Sequence, residues 1–434
     1  MLSESPRRVA IACQGGGSHT AFTAGVLKGL LSEPVMNRYR VVGVSGTSGG
    51  AICAFLAWHG LLTEGPRRAV RLLEDFWADN SAVAPHDRVM NAWMVWASRL
   101  QDYVVAPALS PYDNPWSDVG LAQFRNMLLR RADFEAIDVQ PDDSDPMLLV
   151  GAVDVMSGEF RTFNSRRERI SVDALLASAA IPTLFRSVQA GGGTYWDGLF
   201  SQNPPVRELI DAAPDEIWVI QVNPKERDAE PKSMVEIADR RNELAGNLSL
   251  HQELHFIEAV DRMIDSGALA TNGKYRPIVV RVIELARSAL SPYLGTASKL
   301  NRDPAFIRGL IAHGEARAEE FLVALAFEDA WRSRDAEAIM TFFDEGSELV
   351  SSPPFTEHGP ARGLKAIRAF VVDHLMPGLA LDLNRKQVTG DRVAWTVALN
   401  GRDASPRPEG RVEAEFRGDR VVALRLTAGT TAQG

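Results

Sequence analysis

Apolar and polar positions follow two different patterns along this chain. In the first, short unbroken apolar runs end in glycine and lead into stretches with a helical apolar face, as in parallel α/β units whose strands are buried on both sides. Arg8–Cys13 is the first run, followed by Gln14-Gly15-Gly16-Gly17. Ser18 is placed to cap a helix in which Phe22, Val26, Leu27 and Leu30 share a face. Tyr39–Val44 is the second run, and it passes through Gly46-Thr47-Ser48-Gly49-Gly50 into the helical stretch Ala51–Trp58. Residues 59–147 are less regular and rich in proline and aromatics, which fits either a cap of short helices over a site or ordinary core packing. Within them, Asp142-Asp-Ser-Asp145 reads as a solvated loop. The α/β pattern resumes with strands Met147–Val155 and Glu159–Phe163, the helix Ser171–Ala180 stopped by Pro182, Thr194–Trp196, and the strand Glu216–Val222. Lys225–Glu320 reads largely as helical support around the strand-like Pro277–Ile283.

After about residue 320 the pattern changes. Phe321–Trp331, Asp335–Phe343 and Leu364–Leu375 carry helical spacing. Arg392–Leu399, Arg411–Phe416 and Arg420–Leu426 alternate as strands, with Val412, Ala414 and Phe416 on one face. Helices followed by an antiparallel sheet indicate a separate α+β domain. The expected division is 1–318, with 59–147 as a cap or insert, and 319–434.

Composition narrows the function. At 434 residues the chain is long enough for two or three cores, and its net charge of −9 gives no support for a nucleic-acid partner. No segment reaches the ~20 apolar residues that span a bilayer. Arg7-Arg8 with Val9–Cys13 is too short for a signal peptide and reads as a first strand. Cys13 and Cys53 fall in buried elements as small packing residues, which suggests a reducing compartment. A cytoplasmic protein, with peripheral membrane contact as an option, is the expectation.

The candidate chemistry centres on Ser48. Gly46-x-Ser48-x-Gly50 between a strand and a helix is the setting of a nucleophile elbow, where a sharp turn requires glycines two residues to either side. A parallel pairing of the first two strands would set both loops at one sheet edge, with Gly15, Gly16 and Gly17 beside Ser48 as an oxyanion hole. The same glycines lack the G-x-G-x-x-G spacing of a dinucleotide site, since Thr20 occupies the sixth position. Asp197-Gly198 follows a short strand; an aspartate before glycine is usually turn chemistry, and the serine-hydrolase context raises it to a candidate base. A Ser-His-Asp hydrolase would need a histidine, and His251, His255, His313, His358 and His374 are available without a convincing loop setting. His251 and His255 stand one helical turn apart, but Glu253 does not fit H-E-x-x-H, so no metal or cofactor is expected.

Gly15-Gly16-Gly17, Gly46-Thr47-Ser48-Gly49-Gly50 and Asp197-Gly198, in this order and with Ala179-Ala180-Ile181-Pro182-Thr183 before the third, resemble the patatin-like phospholipases. The resemblance covers about residues 8–315. It implies a three-layer α/β/α domain with a mainly parallel sheet, and lipid acyl hydrolysis by a Ser–Asp dyad. Ser48 would be the nucleophile, Asp197 the base and the early glycines the oxyanion hole. The chain departs from the family pattern at His19 and Thr20, where a basic residue and then glycine are usual, and at Leu199, where Gly or Ala is common. Trp331, Arg334-Asp335, Phe342-Phe343, Gly359 and Gly363 resemble the cone-shaped fold of the nuclear-transport-factor or SnoaL type. That implies a pocket-forming domain used for dimerisation or ligand binding, with an independent isomerase or cyclase as the alternative. His358, Asp373 and His374 are its polar groups, without an assigned role. A catalytically silent lipid-binding scaffold is the non-enzymatic alternative for the whole chain.

Overall fold

The computed structural model describes residues 5–100, 110–139, 145–182, 184–225, 227, 229–271, 275–285, 295–352, 358–375, 379–389, 392–399 and 409–428. The chain divides into two compact units, residues 1–278 with 284–315, and residues 279–283 with 316–434. Asp142-Asp-Ser144 lies outside the described residues.

The first unit begins β1 (Arg7–Cys13), α1 (Thr20–Leu30), α2 (Glu33–Met36), β2 (Tyr39–Thr47) and α3 (Gly49–Thr63). Next come α4 (Pro66–Asn80), α5 (Pro85–Leu100), α6 (Pro115–Leu129), β3 (Met147–Asp154), β4 (Phe160–Asn164) and α7 (Val172–Ser178). It continues with β5 (Val188–Ala190), β6 (Gly193–Asp197), β7 (Glu216–Gln221) and α8 (Met234–Asp265). The strands run in the order β5-β6-β3-β2-β1-β7, with β4 beside β3. β7, β1, β2 and β3 are parallel, while β4 and β6 run antiparallel to β3. The crossovers explain the sequence: β1, β2, β3 and β7 have no water-facing side, so their apolar runs are continuous rather than alternating. The run Gly50–Trp58 of α3 is buried throughout, which suits its apolar residues all round the axis.

Three local expectations are corrected or sharpened. Ser18 does not cap α1; Gly17–His19 forms a 3₁₀ turn and the helix starts at Thr20 without a side-chain cap. Ser171 does cap α7, accepting a hydrogen bond from the Ala174 N–H at 3.1 Å. Pro66–Asn80, Pro85–Leu100 and Pro115–Leu129 are regular helices of about four turns, with Phe76 and Trp77 in the core and Trp93 and Trp96 on the surface.

β8 (Val279–Glu284), α9 (Thr296–Lys299) and α10 (Pro304–Arg332) follow, and α10 runs unbroken through residues 315–319. The second unit then adds α11 (Ala336–Met340), β9 (Glu348–Ser351), β10 (His358–Arg362), α12 (Leu364–Phe370), β11 (Leu379–Thr389), β12 (Arg392–Leu399), β13 (Glu409–Arg417) and β14 (Arg420–Ala428). Its sheet runs β10-β9-β14-β13-β12-β11, all antiparallel except β14 with β9. Three of these six strands, β12 to β14, are legible as alternation; β9, β10 and β11 are not. Phe327 anchors the core, with its ring 5.8 Å from Trp331, 5.3 Å from Phe342 and 5.8 Å from Phe416. Phe327→Ala should cost about 3–5 kcal/mol, because the void left among these rings cannot collapse fully. Guanidinium unfolding is expected to show an earlier transition for this unit, while the first unit's midpoint stays in place. The second unit also buries an ion pair, Arg281 Nη1 to Glu328 Oε2 at 2.5 Å, with both side chains almost fully buried.

Candidate active site

The turn between β2 and α3 holds Ser48 in a conformation that side chains rarely adopt, φ 58° and ψ −131°. Such a backbone costs on the order of 1–3 kcal/mol, so the surroundings must impose it. They do so by close packing. A Cβ on Gly46 would stand 2.5 Å from the Gly50 carbonyl oxygen, and one on Gly50 would stand 2.6 Å from the Gln14 carbonyl oxygen. The Ser48 N–H donates to Ser178 Oγ at 3.0 Å, and the Ser178 hydroxyl donates to the Gly151 carbonyl at 2.6 Å. Both residues of that bridge stand on the elements flanking the turn, α7 and β3. Ser48 is itself only 6% exposed.

The glycine loop after β1 lies against this turn, as the parallel pairing of β1 and β2 requires. A Cβ on Gly15 would approach the Ser48 Cβ to 2.9 Å and the Thr47 carbonyl oxygen to 2.5 Å. The Gly15 N–H donates to Asn203 Oδ1 at 2.7 Å, and its carbonyl accepts from Asn223 Nδ2 at 3.2 Å. The Lys299 ammonium in turn donates to Asn223 Oδ1 at 2.8 Å. Gly15 is therefore pinned on both sides. The N–H groups of Gly16 and Gly17 make no hydrogen bond among the described residues. Gly17 takes φ 58°, and a Cβ on Gly49 would lie 3.0 Å from the Gly17 carbonyl oxygen, so the two loops touch. His19 does not reach toward this edge; its Nε2 pairs with Ser298 Oγ at 2.8 Å. The Thr20 hydroxyl donates to the Gly17 carbonyl at 2.7 Å and steadies the loop from inside.

Asp197 ends β6 opposite Ala152 of β3, and its Oδ1 accepts the Leu199 N–H at 2.8 Å. Oδ2 is buried and makes no hydrogen bond of full geometry, yet the Ser48 hydroxyl is near enough to favour the charged carboxylate. Burial pushes the Asp197 carboxyl up to about 7, against the opposing pull of the Ser48 hydroxyl, the Leu199 N–H and the Lys299 charge. No histidine is among the groups acting on it. His251 and His255 are exposed on α8, while Glu253 between them turns inward and accepts the Val206 and Arg207 N–H groups at 2.5 and 2.9 Å. His313 lies over the Phe22 ring at 5.6 Å. The side chains of His358 and His374 lie outside the described residues, and Asp373 is exposed. Burial pushes the Cys53 thiol up to about 12 and raises the Cys13 thiol well above its usual range, so neither supplies a thiolate near neutrality.

Ser48, Asp197 and the three glycines thus gather at one edge of the sheet. Ser178, Asn203, Asn223 and Lys299 complete the surroundings, and no spacing rule in the sequence marks them. The nearest signals are positional: Ser178 immediately precedes Ala179-Ala180-Ile181-Pro182, and Asn203 follows the Asp197-Gly198 turn.

Two family models match stretches of the chain. Residues 11–210 match the model of the patatin-like phospholipases, and residues 324–429 match that of the SnoaL-like domain. No curated protein matches the chain. Among solved structures, an NTF2-like protein of unknown function from Burkholderia pseudomallei is similar at 18% identity, covering 26% of this chain and 92% of its own, with a TM-score of 0.22. An NTF2-like protein from Burkholderia xenovorans gives 16% identity, 26% and 92% coverage and a TM-score of 0.23. One of unknown function from Cytophaga hutchinsonii gives 12% identity, 25% and 89% coverage and a TM-score of 0.20.

Proposed function

With a patatin-like phospholipase domain in the first unit and a SnoaL-like domain in the second as the premise, we propose that this protein is a serine lipid acyl hydrolase working through Ser48 and Asp197. The family supports lipid acyl hydrolysis in general. The observation that carries the finer reading is a buried carboxyl raised to about 7 beside a serine held at a strained turn.

Ser48 Oγ attacks the ester carbonyl carbon while its proton passes to the Asp197 carboxylate. The tetrahedral oxyanion takes hydrogen bonds from backbone N–H groups of the glycine loop, for which Gly16 and Gly17 are the uncommitted donors. Collapse breaks the ester bond, and the departing alkoxide recovers the proton from Asp197, leaving an acyl-enzyme on Ser48. Asp197 then takes a proton from water, the resulting hydroxide attacks the acyl carbonyl, and Ser48 leaves with that proton. An ordinary aspartate, with a pKa of ~3.9, is too weak a base for this. Burial supplies the missing basicity.

The pH dependence follows. Only the ionised carboxylate can accept the serine proton, so kcat/KM should rise with pH through a limb near about 7 and level off above it. Lys299→Met removes a charge that favours the carboxylate and should move the limb upward. A profile already flat from about pH 5 would show that Asp197 is not the titrating base. The same shift has a stability sign: between the ordinary aspartate pKa and about 7 the folded state holds a proton that the unfolded state has lost, so this group's contribution falls as pH rises across that window.

Asn203→Ala tests the loop. Losing the bond to the Gly15 N–H loosens the donor array without touching substrate, and kcat is expected to fall roughly 10–100-fold with KM little changed. A profile of initial rates over phospholipids, lysophospholipids, triglycerides and short p-nitrophenyl esters assigns the substrate class; no hydrolysis of any of them would leave a silent lipid-binding scaffold instead.

A further inference from the structure

Helix α5 presents an apolar stripe to solvent. Val89, Trp93 and Trp96 are 70%, 60% and 57% exposed at spacings of four and three residues, so they share one face, and Met90 lies beside them. Two exposed indoles on one helix face are costly in water and usual at the headgroup level of a bilayer. The helix is held in place by Asn91, whose Nδ2 donates to Asn301 Oδ1 at 3.1 Å while its Oδ1 accepts the Arg302 N–H at 2.8 Å.

Beside the stripe lies a cleft of about 630 Å³, and Trp96 belongs to both. Arg88 and Arg308 line it, and neither makes an ion pair or a side-chain hydrogen bond among the described residues. The nearby carboxylates are already committed. Asp87 pairs with Arg302, and Asp303 accepts the Ala305 and Phe306 N–H groups at 2.9 Å each. Two guanidiniums without side-chain partners among the described residues, next to an apolar stripe, complement a surface that offers phosphate outside and hydrocarbon beneath.

We propose that α5 and this cleft form a docking surface for an anionic phospholipid bilayer, with the indoles entering the interface and Arg88 and Arg308 holding headgroup phosphates. None of the residues lining the cleft is one of those placed around Ser48 and Asp197. The docking surface takes from the proposed function only that the substrate is presented in a lipid surface, and binding is read without turnover. Among the described residues no helix is long and apolar enough to cross a membrane, so attachment by those helices is peripheral.

The test is co-sedimentation of the full chain with vesicles of phosphatidylcholine alone and of phosphatidylcholine mixed with phosphatidylglycerol, each repeated at raised salt. The wild type and Ser48→Ala should both bind the mixed vesicles more tightly, with the preference shrinking at high salt. Arg88→Glu with Arg308→Glu should lower binding to the mixed vesicles by roughly tenfold or more. Trp93→Ala with Trp96→Ala should lower binding to both compositions, while all four substitutions leave hydrolysis of a soluble short-chain ester unchanged. Equal binding to the two vesicle types, or undiminished binding by the arginine variant, overturns the proposal. So does a change in molecular mass of the tryptophan variant in solution with vesicle binding intact, which would make the stripe a contact between two copies of the chain. Absence of ester hydrolysis with vesicle binding intact would instead count against the Ser48 reading alone.

Discussion

Ser48→Ala is expected to lower kcat for a p-nitrophenyl ester by roughly 10⁴–10⁶-fold, the range for removing a nucleophile whose partners act as a unit. The substitution deletes one oxygen and leaves the backbone demand unchanged, because alanine meets the same strain at φ 58° as serine does. The Ser48 N–H still reaches Ser178, so the turn keeps its outside bracing. Folding should therefore be preserved, as circular dichroism with a matched unfolding midpoint will show. Asp197 loses the hydroxyl that favours its charge, so its carboxyl should titrate higher still. A rate within tenfold of wild type, in a protein of unchanged fold, would move the chemistry to another group.

Asp197→Asn should lower kcat by roughly 10²–10⁴-fold, the usual worth of a positioned general base. The amide is nearly isosteric, and its oxygen can still accept the Leu199 N–H. What it cannot do is take the serine proton. The two consequences have opposite signs. Above about 7 the native aspartate is a buried charge, so replacing it by a neutral amide should leave stability unchanged or raise it while activity collapses. A variant that is both inactive and unfolded would say nothing of base chemistry, which is why the unfolding midpoint must be measured beside the rate. Normal turnover in a folded variant would point to a histidine base.

The parts of the site written into local sequence were the legible ones. A strand, a glycine-flanked serine and a buried helix occur within residues 39–63, and their geometry depends on neighbours a few positions away. Asp197 was reachable because Asp-Gly closes a short strand in a chain that already shows the elbow. Asn203, Ser178 and Lys299 were not, because their roles come from hydrogen bonds and charges acting across the sheet edge between residues distant in sequence. Ser18 misled for a different reason: a residue of good capping type precedes the helix, but the tight 3₁₀ turn at Gly17–His19 takes its place. In the second unit, β12 to β14 alternate clearly, whereas β9 is four residues long and β10 carries Gly359 and Pro360, so neither builds up a period. Burial of tryptophan was open in the sequence, since Trp77 and Trp93 sit in similar helical patterns, and only packing turns one inward and leaves the other 60% exposed.

The most direct test of the central claim is covalent. A fluorophosphonate phosphonylates a serine, with loss of fluoride, only where the hydroxyl is activated and a donor array stabilises the developing charge, so peptide mapping after labelling reads both properties at one atom. The account predicts a single adduct on Ser48, forming faster as pH rises through about 7 and strongly slowed in Asp197→Asn. An adduct on another residue, or labelling of Ser48→Ala at the wild-type rate, would contradict it.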